Sequence, residues 1–236
     1  MGLLPSAKEE ERVGNRWVKE KEVSSHLLNR KADRKLGFVA KLYSMAIGDK
    51  MVMTKSSILN RDLYVEGFHF IKYLNLNYTY ENRFWAISYN LNHKTTIDSL
   101  EVNQKKDYCR FVAKNIGKMG ITDALWVDSG SQCSEEERKI YLNELNNRLI
   151  IDRIVNLDMT NVEVLYTPNM NCWTISCRTL IGSTTWILIP PVMNLIKPNP
   201  IECAKMIEFF ELVANAVTKV NKSGGENDSR CKNTFC

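Results

Sequence analysis

The sequence lacks a hydrophobic run long enough to cross a membrane. Its longest strongly apolar stretch, residues 184–193, covers about ten positions, whereas a transmembrane helix needs about 20. Charged residues at positions 8–12 also interrupt the N-terminus before the apolar stretch of a secretory signal could form. We therefore expect an intracellular protein, located in the cytoplasm, the nucleus or both.

Histidine is scarce, and the motifs of common catalytic sites are missing. The three histidines, His26, His69 and His93, lie in no catalytic motif. No P-loop, dinucleotide fingerprint or G-x-S-x-G elbow occurs. Asp123 and Asp128 lie near the end of a predicted strand, but no nucleophile or set of metal ligands accompanies them. We predict a protein that is not an enzyme and has no catalytic residues and no cofactor.

The cysteines do not form a recognisable framework of disulfides or metal ligands. Seven are present, an odd number, and they are scattered through apolar segments, which favours reduced thiols. Cys172 and Cys177 have the same separation as Cys231 and Cys236. Residues five apart on one strand point to opposite faces, so we predict no metal site at the first pair.

The composition is that of an ordinary globular protein, with a modest surplus of positive charge. Hydrophobic residues make up 44% and charged residues 25% of the chain, and the net charge is +5. Residues 1–35 contain nine Lys and Arg against six Asp and Glu. This balance permits contact with nucleic acid or an acidic surface. Asparagine occurs 23 times, a bias that indicates an AT-rich coding genome, such as that of a virus or a fast-evolving lineage.

The pattern of apolar residues predicts an α+β fold with mainly antiparallel strands and about three core helices. We divide the chain into a flexible charged arm (1–35), a single domain (36–222) and a disordered tail (223–236). The last two predicted strands form a hairpin around Gly182 and Ser183. Strands are predicted over residues 38–45, 51–59, 63–73, 83–89, 121–127, 162–166, 172–181 and 184–189.

Two helices have clear start signals. Ser134 and Glu137 have the spacing of a capping box, which places one helix start at Ser134. The last helix begins after Asn199, which can cap it, with Pro200 at the first helical position and Glu202 at the third.

A third helix is predicted over residues 98–118, and it carries the best nucleic-acid signal. Four basic residues recur on it every four positions and would form one stripe. A solvated helix face commonly has the same pattern. The candidate nucleic-acid-binding residues are Lys106, Arg110, Lys114 and Lys118.

Gly117 and Gly120 enclose Lys118 in a pattern that resembles the G-x-x-G loop of KH domains, which clamps a nucleic-acid backbone. A KH domain has a helix directly after this loop, whereas residues 121–127 are predicted to form a strand. We therefore interpret the two glycines as the end of the preceding helix.

Aromatic residues are concentrated between positions 64 and 89. If this segment forms strands, both faces of the sheet carry rings. One face belongs to the core, and the other is either buried beneath a helix or an exposed platform for bases or a protein partner. The residues are Tyr64, Phe68, Phe70, Tyr73, Tyr78, Tyr80, Phe84, Trp85 and Tyr89.

Three hypotheses for the function follow. The first is a non-enzymatic interaction or assembly protein that binds a protein partner or itself. The second is an RNA- or DNA-binding protein that uses the basic stripe and the aromatic strands. The third is a membrane-associated, matrix-like protein, because Gly2 and Ser6 match the pattern for N-myristoylation at Gly2.

Overall fold

In the described part of the chain, four helices cover one face of a single antiparallel sheet. The computed structural model describes residues 7–48, 51–83, 85–98, 107–118 and 120–230, with side chains from His26 to Lys219 except that of Asp98. Two long helices come from the two ends of the chain, and two short helices lie between strands. The helices are α1 (Ala7–Ile47), α2 (Glu135–Leu145), α3 (Arg148–Asn156) and α4 (Pro200–Arg230).

The described residues contribute nine strands to the sheet, and each pairing among them is antiparallel. The strands are β1 (Met51–Ser57), β2 (Asn60–Val65), β3 (Tyr73–Arg83), β4 (Ala86–Asp98), β5 (Cys109–Ile116), β6 (Asp123–Asp128), β7 (Met159–Thr167), β8 (Cys172–Ile187) and β9 (Val192–Leu195). Their order is β1-β2-β3-β4-β8-β7-β5-β6, and β9 pairs with the second half of β8. The predicted α+β class with a mainly antiparallel sheet is confirmed.

Alternation along the strands separates a helix-covered face from an open face. On β3, Leu74, Leu76 and Tyr78 are buried, whereas Asn75 and Asn77 between them are half-buried on the open side. Successive side chains of a strand point to opposite faces, so this pattern places the core on one side of the sheet.

The core lies between the sheet and the two long helices. From α4 the side chains Cys203, Ile207 and Phe210 are buried. From α1 the side chains Leu36 and Val39 are buried. The two helices contact each other over the centre of the sheet, so α1 is a part of the domain core.

The strand predicted over residues 38–45 is wrong, because this segment belongs to α1. Leu36, Val39, Ala40 and Tyr43 are all buried, and their spacing of three and four residues is that of a helix face. The boundary placed between residues 35 and 36 therefore lies inside a helix.

The helix predicted over residues 98–118 is also wrong. Residues 109–116 form β5, in which Cys109 and Phe111 are buried and Arg110 and Val112 between them are half-buried. This alternation has the period of a strand. Residues 99–106 lie outside the described residues. Gly117 and Gly120 belong to the turn between β5 and β6, both with positive φ.

The hairpin predicted around Gly182 is wrong, because β8 runs through this position without a turn. Gly182 has a φ of +86° and bends the strand locally, and the chain reverses after Ile187 instead. The glycine thus marks an irregularity within a long strand.

The two helix starts are confirmed. Ser134 accepts a hydrogen bond from the backbone N–H of Glu137, whose carboxylate accepts one from the N–H of Ser134. Asn199 and Glu202 form the same reciprocal pair at the start of α4, both at 2.8 Å. Of the predicted tail, residues 223–230 continue α4 and residues 231–236 lie outside the described residues.

No described helix combines the length and the apolar character that crossing a membrane requires.

Candidate functional site

Three residues of the predicted basic stripe, Arg110, Lys114 and Lys118, lie along β5 and the turn after it and not on one helix face. Arg110 lies on the open face of β5, where its Nε donates a hydrogen bond to the carboxylate of Glu163 on β7. Lys114 lies near the end of the same strand, and Lys118 lies in the turn that follows. Lys106, like the predicted lipidation residue Gly2, lies outside the described residues.

The aromatic residues of segment 64–89 are divided between the core and several separate surfaces. Tyr78 and Tyr89 are buried, whereas Tyr64, Tyr80 and Trp85 are exposed. Phe68 and Phe70 pack against the core cluster from the loop before β3. Phe84 lies outside the described residues.

Asp123, Asp128 and His93 each have a polar partner within the fold. Asp123 pairs with Arg148 at 3.4 Å, and Asp128 accepts the backbone N–H of Ser131 at 3.1 Å. His93 is buried at the centre of the core, where its Nε2 forms a 2.6 Å hydrogen bond with the hydroxyl of Tyr43. Among the residues whose side chains are described, no three His, Cys, Asp or Glu could hold a metal ion together.

The open face of the sheet has a ladder of polar side chains that satisfy one another. The hydroxyl of Tyr73 and the amide of Asn75 both donate to Asp62 at 2.7 Å. Arg178 donates to Glu81 at 2.9 Å at the other end of the ladder. Its members are Asp62, Tyr73, Asn75, Asn77, Asn92, Arg178 and Glu81. These bonds tie side chains of β2, β3, β4 and β8 to one another across the open face.

A cavity of about 470 Å³ lies between the loop before β3, α3 and α4. Apolar side chains line much of it, among them Phe68, Phe70 and Leu212. Its charged groups are already paired, because Arg153 forms a 2.9 Å ion pair with Glu208.

Four basic side chains line a groove of about 700 Å³ between α1 and β9, which we call the basic groove. Lys31, Arg34 and Lys35 reach it from α1, and Lys197 reaches it from the loop after β9. None of the four forms an ion pair with a described carboxylate. Apolar side chains complete the lining, namely Phe38, Met193 and Leu195.

The sequence of α1 sets this cationic face beside the core. Lys31, Arg34, Lys35 and Phe38 have the spacing of one helix face and lie next to the buried stripe that includes Leu36. The helix can therefore pack on the sheet while it presents its cations along the groove.

Asp33, the acidic residue nearest in sequence to the cations of α1, lies away from the groove. Asp33 is the one acidic residue of α1 between positions 26 and 47, and it lies on the opposite side of the helix. It accepts hydrogen bonds from Lys55 at 2.7 Å and from the backbone N–H of Leu59 at 2.9 Å, and it pairs with Arg61 at 2.8 Å. Burial acts to raise the pKa of Asp33, but these partners outweigh it and lower the pKa below its usual value.

Two cations of the groove lie over aromatic rings. The Nζ of Lys31 is 4.9 Å from the ring centre of Trp186, and the Nζ of Lys197 is 5.4 Å from that of Phe38. Such contacts favour a cation over the face of a ring and limit the positions that the two lysines sample. The charges of the groove are thus partly positioned before any ligand arrives.

Sequence reasoning missed this groove. Residues 31–35 fell into the predicted arm, and Lys197 lies more than 160 positions away from Lys31, so no local pattern joins them. The spacing of Lys31, Arg34 and Lys35 beside an apolar helical stripe was the available signal.

Comparison with protein families gives a match over most of the sheet. The model of the family described as "Protein of unknown function (DUF3156)" matches residues 60–217. The match covers the sheet from β2 to β9 and most of α4, so it includes Lys197 but not the cations of α1. No curated protein and no solved structure matches the chain.

Proposed function

We propose that this chain, which belongs to the DUF3156 family of proteins of unknown function, is a non-enzymatic interaction protein that binds an acidic segment of a protein partner in the basic groove. One observation carries the proposal: Lys31, Arg34, Lys35 and Lys197 surround one cavity and pair with no described carboxylate. Unpaired cations held close together repel one another, so a segment with several carboxylates gains attraction and relieves this repulsion.

The lining of the groove favours a peptide over a nucleic acid. Single-stranded nucleic acids bind by stacking their bases on open aromatic faces. Here Lys31 and Lys197 already occupy faces of Trp186 and Phe38. Met193 and Leu195 instead offer apolar contact area to the side chains of a peptide.

The alternative nucleic-acid site on β5 has weaker support. Arg110 is neutralised by Glu163, which leaves Lys114 and Lys118 as isolated cations. Two exposed cations supply little of the phosphate neutralisation on which non-specific binding depends.

We further propose an intracellular location, in the cytoplasm, the nucleus or both. Cys133, Cys177 and Cys203 are free and buried, which suits a reducing compartment. Intact-mass measurement after treatment with a thiol-reactive reagent in denaturant would count reduced cysteines, and a disulfide found in protein from cells would contradict this location.

The proposed function is tested with a fluorescent peptide of alternating Glu and Val, twelve residues long, bound to the full chain at low salt. The double variant Arg34→Glu/Lys35→Glu reverses two charges of the groove. We expect its affinity for the peptide to fall at least tenfold, since loss of about 1.4 kcal/mol corresponds to a factor of ten. Fluorescence anisotropy measures the change.

A matched variant, Lys94→Glu/Lys114→Glu, reverses two exposed charges on the open face of the sheet. We expect it to bind the peptide within about twofold of the unaltered chain, because exposed charges far from the groove are screened by salt. Equal losses in both variants would contradict a specific groove. A single-stranded DNA probe that binds more tightly than the peptide and loses affinity in the groove variant would assign the site to nucleic acid instead.

A further inference from the structure

Strand β9 forms one wall of the basic groove and pairs with a single neighbour. It lies antiparallel to the second half of β8, with Trp186 opposite Met193 and Thr184 opposite Leu195. No other described strand pairs with it. An edge strand of this kind presents unpaired backbone groups to whatever lies beside it.

The hydrogen bonds just after β9 establish which backbone groups face outward. The N–H of Ile196 donates to the carbonyl of Ser183 at 3.0 Å, and the N–H of Gly182 donates to the carbonyl of Ile196 at 2.6 Å. In an antiparallel ladder the residues that bond to a neighbour alternate with those that face away from it. Met193 and Leu195 therefore direct their N–H and C=O groups away from β8, toward the groove.

The charges lie along the same edge. Lys31, Arg34 and Lys35 line the groove across from Met193 and Leu195, and Lys197 continues the chain at the end of β9. The groove thus combines a free backbone edge with a row of cations on the helix-covered side of the sheet.

We propose that the acidic segment binds by adding a β-strand to the free edge of β9, with its carboxylates at alternate positions facing α1. This inference rests on the proposed function and specifies how the segment binds. Strand addition draws affinity from backbone hydrogen bonds and specificity from the side chains on one face. Because side chains alternate between the two faces of a strand, every second residue of the segment meets the cations and those between point toward the open face.

The short length of β9 limits the segment. Four residues form β9, and the two that face outward offer two N–H and two C=O groups. A segment of about five residues spans this edge, since a strand rises about 3.4 Å per residue. Charge contacts must supply the rest of the affinity, so binding weakens as salt rises.

Two methylated versions of the alternating Glu and Val peptide test this geometry on the full chain. One carries N-methyl groups on the backbone of its Glu residues and the other on that of its Val residues. In an added strand only one of these sets donates to β9, because alternate N–H groups face the same edge. We expect one methylated peptide to lose at least tenfold in affinity and the other to stay within about threefold of the parent.

Equal affinities of the two methylated peptides, whether both are retained or both are lost, would overturn strand addition. The proposed function would survive that result if the unmethylated peptide still bound and the Arg34→Glu/Lys35→Glu variant still weakened it. Failure of the unmethylated peptide to bind at all would overturn both proposals.

A variant of the chain gives a second measurement. Leu195→Pro removes one outward N–H and leaves the groups that bond to β8, and Leu195→Ala is its control for the lost side chain. We expect the proline variant to bind the peptide at least fivefold more weakly than the alanine variant, with the same circular dichroism spectrum. Equal affinities would contradict strand addition, and so would a stable dimer that the peptide cannot dissociate, since a second copy would then occupy the edge.

Discussion

His93 is a titratable side chain completely buried between β4, α1 and α4. Its Nε2 bonds to the hydroxyl of Tyr43, and its ring lies 6.3 Å from that of Phe210. Burial lowers the pKa of His93 from 6.5 to about 3. The folded protein therefore holds this histidine neutral at pH values where the unfolded chain protonates it.

Acid should destabilise the protein through His93. As the pH falls from about 7 toward 3, the unfolded state binds a proton that the folded state does not, so the free energy of unfolding decreases. The expected slope from this residue approaches about 1.4 kcal/mol per pH unit below pH 6. Urea unfolding between pH 4 and pH 7 measures it.

His93→Gln should remove this slope, whereas His69→Gln, a change at an exposed histidine, should keep it. His93→Gln should also lower the stability at pH 7, because the ring packs against Phe210. A slope unchanged by His93→Gln would show that other groups dominate the acid response.

Glu211 fixes the loop before β3 onto α4. Its carboxylate accepts hydrogen bonds from the backbone N–H groups of His69, Phe70 and Ile71, at distances from 2.8 to 3.2 Å. Hydrogen bonds to a charged acceptor are stronger than neutral ones. One side chain thus satisfies three donors of a loop that has no regular structure.

Glu211→Gln should lower the free energy of unfolding by about 2 kcal/mol, because the amide lacks the charge and one of the two acceptor oxygens. Glu208→Gln, one turn earlier on α4, should cost under about 1 kcal/mol, since its ion pair with Arg153 is partly exposed. Chemical denaturation at pH 7 compares them. A cost at Glu211 no greater than that at Glu208 would contradict the role of the carboxylate in fixing the loop.

At the scale of elements, β8 is the strand that holds the sheet together. It pairs with β4 along most of its length, with β7 over its first half and with β9 over its second half. Gly182 divides these halves, and a Cβ added there would lie 2.4 Å from a side-chain carbon of Leu91. The hydroxyl of Tyr78 also donates to its carbonyl.

Gly182→Ala should destabilise the protein by about 2 to 4 kcal/mol, from backbone strain at positive φ and from overpacking against Leu91. Gly130→Ala is a matched control, because Gly130 has nearly the same φ, +87°, and no atom lies within 4 Å of its added Cβ. Gly130→Ala should lower the free energy of unfolding by about 1 to 2 kcal/mol, because only the backbone strain contributes there. Equal costs in urea unfolding would mean that Leu91 moves aside freely.

Local signals in the sequence predicted some elements well and others wrongly. The capping pairs Ser134 with Glu137 and Asn199 with Glu202 specify helix starts through side-chain chemistry, and the structure confirms both. Segment 109–116 fits both a helical and a strand spacing, and only its pairing with β6 and β7 selects the strand. Helix α3 was missed, because its start at Asn147 follows α2 after a single turn.

At the scale of the whole molecule, the α+β class followed from composition and alternating patterns, but the candidate site did not. The basic groove requires α1 to lie beside β9, and these elements are far apart in the sequence. The charges of α1 alone were compatible with a solvated arm. Leu36 and Val39 pack into the core, and this packing places the cations of α1 next to Lys197.

The polar ladder makes the open face of the sheet hydrophilic. A wide sheet left bare of helices usually invites a second sheet to stack on it, and apolar rows would make such stacking favourable. Here Asp62, Asn75 and Asn77 form hydrogen bonds with one another along the face of the sheet. Each side chain therefore has a polar partner while its face is in contact with water. The broad side of the molecule can therefore remain wetted and non-adhesive, and the proposed attachment lies instead at the free edge of β9.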